Sequence, residues 1–333
     1  MSNFTVEAKL GDSTKKVEIK GRCVEGYWAD ESGNKVDKTF FGDTVFYYVR
    51  GKYFMFCFDV KVSLKVGGQE INLTEGRVVN MQKDGEDVCL VCIDVKDRWE
   101  LGADLQNRRE ALLECRVSAD SFVFVDDHCD TIKVMEFELQ NDFIIAGPKL
   151  KKTPVLACRK FSQKVHAVVL HRTGSQTVLS ALNSAKSSAA AHFYVAKNGD
   201  VYQKISLAQV APHVGYIRVK PSEGQRPKKS SSETHIAEIK KEYPERYPYN
   251  EDSIGIEVVG MFLTREKDNG RKEDYYLAPT DIEQIKAVTR LVNFLTGHFS
   301  LNIDTDIYGH EIISSKCEGE GDAVYEVIKS FLL

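Results

Sequence analysis

The segment Val165-His166-Ala167-Val168-Val169-Leu170-His171 decides the fold of the second half of the chain. Its short apolar run is typical of a strand that is buried on both faces. The run ends in a polar turn, and apolar positions then recur with helical spacing over residues 176–186. A buried strand followed by a helix favours an α/β arrangement, in which sites commonly form at the carboxyl ends of strands. His171 stands at such an end.

Strand and helix patterns alternate from Pro154 to the end of the chain. Asn198-Gly199 lies between two β-rich runs and predicts a hairpin. Residues 253–260 form another buried strand pattern, which carries a single carboxylate, Glu257. We therefore predict an α/β domain over residues 156–333, with a mixed central sheet flanked by helices.

Two further segments of this half have distinct patterns. Thr280-Asp281-Ile282-Glu283 predicts a capping box at the start of a long amphipathic helix. Residues 220–250 are polar and charged and contain four prolines, so they are predicted to form a long surface insertion.

Residues 1–155 have an all-β pattern, in which short alternating runs are separated by turn residues. The length permits one large sandwich or two small ones in tandem, and we favour two: a β-sandwich module at 1–72 and a second β-rich module at 73–155. The segment Gly26–Lys35 with Phe41–Val45 loosely resembles the immunoglobulin-like (Ig-like) modules that accompany bacterial secreted effectors, although a strand-turn-strand with a core Trp28 explains it equally simply. Strands are expected at residues 44–49, 54–58, 60–66, 88–95, 111–117, 121–125 and 133–138.

Composition excludes several classes of protein. The net charge of −4 gives no basic excess for nucleic acid, and no apolar run approaches the roughly 20 residues that span a bilayer. The start of the chain lacks the basic and apolar regions of a Sec signal. The eight cysteines are scattered, which suits free thiols in a reducing compartment. Cys89 and Cys92 have CxxC spacing, but they lie on a predicted strand, where residues three apart point to opposite faces.

The stretch Tyr308–Glu318 places His310, Lys316 and a carboxylate within nine residues. A single histidine is more often structural than a metal ligand. Together with His171, however, the stretch supplies two imidazoles and a carboxylate, the usual three protein ligands of a catalytic zinc ion that keeps one open position.

Five motifs occur in order between residues 160 and 333. They are Val168–Thr173, Ala191–Val195 with Asn198–Gln203, Ala211–His213, Asn250 with Ser253–Glu257, and Gly309–Glu311 with Lys316–Glu318. Together they resemble the zinc-dependent N-acetylmuramoyl-L-alanine amidases of the phage-lysozyme and peptidoglycan-recognition-protein type.

The resemblance implies that His171 and His310 bind zinc. The family's third ligand follows the lysine by two positions and is Asp or Cys, and the matching residue here is Glu318. Cys317, Glu320 and Asp322 remain alternatives. The family's Pro-Gly after that ligand is replaced by Gly319-Glu320-Gly321.

The resemblance also implies roles for four other residues. Glu257 would be the general base, since some family members use a tyrosine at the position of Ala191 instead. Lys316 would stabilise the oxyanion. His213 would contact substrate in the groove, and Thr173 would orient the loop of the site.

The implied activity is zinc-dependent hydrolysis of the amide between N-acetylmuramic acid and L-alanine in peptidoglycan. Two alternatives stay open: a non-catalytic peptidoglycan-binding protein, and an amidase acting on soluble muropeptides or another amide. Without a Sec signal, we expect a delivered effector or lysin acting in the periplasm or cell wall of a target cell. Such a protein would have a secretion-system component or an immunity protein as partner.

Overall fold

Strand pairing divides the chain into two units, Met1–Glu136 and Phe137–Leu333. The structure is a computed structural model. It describes residues 2–10, 13–52, 59–66, 69–73, 77–83, 86–95, 111–118, 128–221 and 229–332. The predicted strands at 54–58 and 121–125 lie outside the described residues. Within the described part of the chain, no helix is both long and apolar enough to cross a membrane.

The described residues of the N-terminal unit form ten strands in two five-stranded sheets. The first sheet has the order β1-β2-β4-β8-β7 and the second has the order β3-β10-β9-β5-β6. The strands are β1 Ser2–Leu10, β2 Ser13–Ala29, β3 Lys38–Phe40, β4 Thr44–Lys52, β5 Asp59–Val66, β6 Gln69–Leu73, β7 Arg77–Lys83, β8 Glu86–Asp94, β9 Ala111–Ser118 and β10 His128–Met135.

Both sheets of this unit contribute to one core, so the unit is a single sandwich. Trp28 and Tyr47 come from the first sheet and pack edge to face, with ring centroids 4.9 Å apart. They share a buried cluster with Leu64 and Leu113 of the second sheet. The all-β prediction is confirmed for the described residues, whereas an Ig-like topology stays a prediction. Two modules divided at residue 72 do not match this pairing, because β8 lies between β4 and β7 in one sheet.

The C-terminal unit is built on a mixed six-stranded sheet of order β13-β16-β15-β17-β14-β20. Two further pairs, β11-β12 and β18-β19, form separate two-stranded sheets. The strands of the unit are β11 Glu138–Gln140, β12 Phe143–Ala146, β13 Leu150–Lys151, β14 Ala167–Arg172, β15 Phe193–Val195, β16 Val201–Gln203, β17 Ser253–Val258, β18 Phe262–Glu266, β19 Lys272–Tyr276 and β20 Ile307–Gly309. Its helices are α1 Val178–Ser184, α2 Ser232–Glu238, α3 Ile282–Phe299, α4 His310–Ile313 and α5 Asp322–Ile328, followed by the 3-10 turn Lys329–Phe331. The predicted mixed sheet with flanking helices is confirmed.

The sheet and α3 share the main core of this unit. Every residue of β14 is buried, as its apolar run predicts. Val168 and Leu170 of β14 and Ile256 of β17 pack in one cluster with Leu291 and Leu295 of α3. Burial of each such side chain contributes roughly 1.5–3 kcal/mol, so this core fixes the register from which the site is built.

The predicted hairpin at Asn198-Gly199 joins β15 to β16. Gly199 has φ +83°, and a Cβ added there would lie 2.7 Å from the carbonyl oxygen of Glu283 in the first turn of α3. Glycine is therefore required both by the turn and by the close approach of the helix.

The predicted capping box differs from what is observed. The N-cap residue of α3 is Asp281, one residue later than Thr280, and its side chain accepts no capping hydrogen bond. The start of α3 is held instead by the buried Gln284, whose amide donates to the carbonyl oxygens of Val195 and Val259 at 3.2 and 3.0 Å.

The segment predicted as a surface insertion is partly internal. Arg246 is 3% exposed and Tyr247 is 6% exposed. The Arg246 guanidinium lies 2.7 Å from the carboxylate of the fully buried Asp252, immediately before β17. A buried charge pair of this kind ties the end of the insertion to the central sheet.

Candidate active site

A row of side chains crosses the carboxyl end of the central sheet. Tyr194 of β15 and His171 of β14 are both register partners of Glu257 on β17, which lies between them. Residues directly opposite on neighbouring strands point to the same face. Tyr194, Glu257 and His171 therefore line one face in that order, and we call them the cross-strand row. His310 follows β20, the neighbour of β14, and extends the row by one residue.

His171, His310 and Glu320 bring three potential ligand atoms within 4.8 Å of one another. The two Nδ1 atoms of the histidines are 2.8 Å apart, and Glu320 Oε1 is 2.8 Å from His310 Nδ1. Both histidines are 1% exposed. Two imidazoles and a carboxylate are the donors that catalytic zinc takes.

The tautomer of His310 follows from the contact of its Nε2 atom, on the side of the ring away from the cluster. Its Nε2 lies 2.7 Å from the carbonyl oxygen of Val214, which can only accept, so Nε2 carries the proton. Nδ1, the other ring nitrogen, faces His171 and Glu320 and is the potential ligand atom.

A second chain of contacts sets the tautomer of His171. His213 Nε2 lies 3.4 Å from the carbonyl oxygen of Ser253 and donates to it, which leaves His213 Nδ1 as an acceptor. His171 Nε2 is 2.9 Å from that Nδ1 and must donate to it. Burial, followed by the neighbouring histidines, lowers the pKa of His171 and of His213 well below the usual value, which keeps both rings neutral. The lone pair of His171 Nδ1 is thereby free to face the cluster.

These contacts fit a cation. Two imidazole lone pairs and a carboxylate oxygen converge on one point, with the ring protons engaged elsewhere. Outer hydrogen bonds of this kind orient metal-binding histidines in known sites. His171, His310 and Glu320 are thus the residues that would hold zinc.

Glu318 lies apart from this cluster. Its side chain is 60% exposed and forms an ion pair with Arg265 of β18. Its carbonyl oxygen accepts a hydrogen bond of 2.8 Å from Tyr276 N of β19. The β18–β19 hairpin therefore holds Glu318 outward, and the position predicted for Glu318 beside the histidines is taken by Glu320. Cys317 is exposed, and neither it nor Asp322 belongs to the cluster.

Two glycines explain why Glu320 turns inward. Gly319 and Gly321 have φ of +79° and +92°. A Cβ on Gly319 would lie 2.3 Å from the carbonyl oxygen of Tyr276, and a Cβ on Gly321 would lie 1.9 Å from that of Leu170. The Gly-Glu-Gly sequence thus permits a backbone geometry that larger residues on either side of Glu320 would prevent.

Glu257 and Lys316 are two further ionisable side chains near the cluster. Burial, and then the neighbouring Glu320, raises the pKa of Glu257 to about 8, although Lys316 acts in the other direction. Glu257 Oε2 is shielded from solvent, and no described residue forms a hydrogen bond with it. Lys316 is exposed and close enough to lower the pKa of His171 as well.

Thr173 and His213, which the sequence analysis predicted to belong to the site, both lie near it. Thr173 Oγ1 accepts from Ser175 N at 3.1 Å and from Gly260 N at 3.3 Å, so it holds the loop after β14. A cleft of about 230 Å³ begins at Glu257 and His213 and runs toward α1. Sequence reasoning missed Tyr194, which lines this cleft.

The C-terminal unit also has a recognisable family. The sequence model of the family described as N-acetylmuramoyl-L-alanine amidase matches residues 161–320. These residues form an amidase domain. No curated protein matches the chain.

Two solved structures are similar to parts of the chain. One is a crystal structure of a selenomethionine derivative of AmpD, which is 14% identical, covers 59% of this chain and 99% of its own, and has a TM-score of 0.37. Another is the M1 domain from titin, which is 12% identical, covers 29% of this chain and 84% of its own, and has a TM-score of 0.16. The assignment of the amidase domain depends on the family match and on neither of these structures.

The structure predicts that Glu320, and not Glu318, controls metal binding. Glu320→Gln removes a carboxylate from the convergent set, whereas Glu318→Gln changes an exposed partner of Arg265. We expect Glu320→Gln to weaken zinc binding by more than the roughly 10–100-fold that loss of an outer hydrogen bond costs. Titration of each apo protein with zinc against a chelating dye measures this. Weak zinc binding by Glu318→Gln with normal binding by Glu320→Gln would contradict the prediction.

His192, beneath the site, predicts a pH dependence of stability. Its Nδ1 accepts from Gly255 N at 3.0 Å, and its Nε2 donates to the carbonyl oxygen of Gln209 at 2.8 Å. Burial lowers its pKa from 6.5 to about 4. The unfolded chain therefore binds this proton first, and stability present above pH 6.5 is lost as the pH falls to 4. The loss from this residue is about 3 kcal/mol.

Replacement of His192 by Asn tests this linkage. The variant is less stable at pH 7, but it lacks the titrating ring, so its deficit should shrink by about 3 kcal/mol between pH 6.5 and 4. Urea unfolding followed by circular dichroism at 222 nm reports on this unit, because all helices of the described residues lie in it. A deficit that stays constant with pH would refute the assignment.

Proposed function

We propose that the amidase domain hydrolyses the amide between the lactyl group of N-acetylmuramic acid and L-alanine in peptidoglycan, with zinc as cofactor. The observation that carries this proposal is the convergence of His171, His310 and Glu320 beside Glu257 within the matched amidase domain. The two histidines are buried, and hydrogen bonds from their Nε2 atoms orient both Nδ1 atoms toward the cluster, as in known metal sites.

The proposed ligand set explains what the metal contributes. Zinc bound by two neutral histidines and one carboxylate supplies a Lewis acid with a net charge of about +1, strong enough to lower the pKa of water toward 7. Glu320 takes the role of the third ligand that the sequence assigned to Glu318.

Glu257 is the proposed general base. It is the neighbour of His171 in the cross-strand row, and in its ionised form the Oε2 atom, which has no partner among the described residues, can accept the proton of the attacking water. The same carboxyl then returns that proton to the leaving amine, which completes hydrolysis without a further acid. Lys316 places a positive charge near the developing oxyanion.

His213 and Thr173 support this chemistry. His213 lines the cleft, as a substrate-contacting residue does, and its Nδ1 also holds the proton of His171 Nε2. Thr173 fixes the loop that forms the edge of the same cleft.

For the whole chain, we propose a cell-wall-degrading effector or lysin in which the N-terminal sandwich serves loading or targeting. Its support is the separation of an all-β unit from the amidase domain. A secretion-system component and an immunity protein are the proposed partners. Binding of the full chain to either would support this part of the proposal, and failure to bind secretion components or cell wall would remove its support.

Replacement of Glu257 by Gln tests the activity. The variant keeps the shape of the side chain and all three ligand residues but loses the base. We expect it to bind zinc normally and to release stem peptide from purified sacculi about 10²–10⁴-fold more slowly. Glu266→Gln on the exposed strand β18 is the matched control and should leave the rate unchanged. Mass spectrometry of the soluble products measures the release of peptides that begin with L-alanine.

Several results would contradict the proposed activity. Full activity of a chelated, metal-free preparation would rule out the zinc mechanism. Release of products that do not begin with L-alanine by the wild type, or cleavage of soluble muropeptides alone, would favour the alternative amidase activities. Peptidoglycan binding without any cleavage would favour the non-catalytic binding protein.

A further inference from the structure

Tyr194 is the member of the cross-strand row for which the proposed reaction has no role. It neighbours Glu257 on the side away from His171, and only 4% of its surface is exposed. Its ring lines the cleft that begins at Glu257 and His213. A group bound at the metal and extending past Glu257 therefore meets this side chain next.

The O–H group of Tyr194 is available as a hydrogen-bond donor. Its oxygen accepts from Ala191 N at 3.2 Å, so its own proton is directed elsewhere. Burial raises the pKa of Tyr194 to about 12, which keeps the phenol a neutral donor at physiological pH. A buried donor without a partner is costly, and a ligand acceptor in the cleft would satisfy it.

The walls of the cleft restrict what can bind there. Four of its lining side chains are single methyl groups, those of Ala181, Ala185, Ala189 and Ala190, and among the described residues that line it Glu257 alone carries a carboxylate. The cleft holds only about 230 Å³, which leaves little space for a long side chain even with methyl-sized walls. A carboxylate on the ligand would be repelled by Glu257 when that residue is ionised. The cleft thus suits a small, neutral residue that carries an oxygen acceptor.

The reaction decides which part of the substrate lies there. Glu257 has to reach the nitrogen of the scissile amide in order to return a proton to it. The residue attached to that nitrogen would therefore lie at Glu257, and the cleft beyond Glu257 is the space that its own carbonyl can occupy.

We propose that Tyr194 is a specificity-determining residue: its hydroxyl donates a hydrogen bond to the carbonyl oxygen of the first residue on the amine side, while the alanine-lined wall limits that residue to a small side chain. This role rests on the proposed function. It applies to substrates whose leaving amine belongs to a small amino acid, such as alanine, and which continue as a peptide.

A pair of substrates tests the hydrogen bond separately from folding. N-acetylmuramoyl-L-alanine N-methylamide contains the carbonyl, and the (S)-2-pentylamide of N-acetylmuramic acid has the same shape without it. For the zinc-loaded full chain, the ratio of kcat/KM for the two compounds should fall about tenfold in Tyr194→Phe, most of it through KM. Comparison of the ratios cancels the different intrinsic reactivity of the two amides, and it also cancels any general loss of activity.

Tyr202→Phe is the matched control. Tyr202 is the register partner of Tyr194 on the side away from Glu257, and it does not line the cleft, so the ratio should stay at the wild-type value. An unchanged ratio in Tyr194→Phe, even with lower overall activity, overturns the proposed hydrogen bond. A wild-type enzyme that cleaves neither compound overturns the proposed function and this role with it.

Ala181→Val tests the wall without altering the phenol. The added methyl groups narrow the cleft, so KM should rise several-fold more for an L-alanyl substrate than for the glycyl equivalent. Equal effects on the two substrates would contradict the assignment of this wall.

Discussion

The hydrogen bond between His310 Nε2 and the carbonyl oxygen of Val214 is the constraint on which the site depends, together with its counterpart between His171 and His213. Each bond directs the Nε2 proton away from the centre and leaves Nδ1 facing it. A change of tautomer at either ring would direct a proton at the other imidazole. These two buried hydrogen bonds thus decide whether the cluster is a metal site or only a set of packed polar residues.

The register of the central strands places the other residues of the site beside the constrained histidines. His171, Glu257 and Tyr194 lie directly opposite one another on three adjacent strands, so a shift of one residue would turn each side chain to the other face. The core between the sheet and α3 holds that register. The Gly319-Glu320-Gly321 turn then supplies the carboxylate from outside the sheet, where left-handed backbone lets the chain reverse next to Leu170.

Much of this arrangement could be predicted from the sequence. Apolar runs ending in His171 and containing Glu257 indicated the central strands, and Asn198-Gly199 indicated the hairpin. The choice between Glu318 and Glu320 could not be made, because it depends on contacts with Tyr276 and Leu170 that are distant in sequence. The role of Tyr194 was hidden for the same reason, since strand register is invisible in a single run of residues. The N-terminal strands were predicted individually, but their pairing into one sandwich depends on long-range contacts.

The central claim is that His171, His310 and Glu320 form the metal centre. X-ray absorption at the zinc K-edge of the zinc-loaded full chain tests it most directly, because imidazole, carboxylate and thiolate ligands scatter differently. The account predicts two imidazole ligands with oxygen completing the shell in the wild type, one imidazole fewer in His310→Ala, and no sulfur in either. A sulfur ligand from Cys317, or a shell unchanged by His310→Ala, would contradict it.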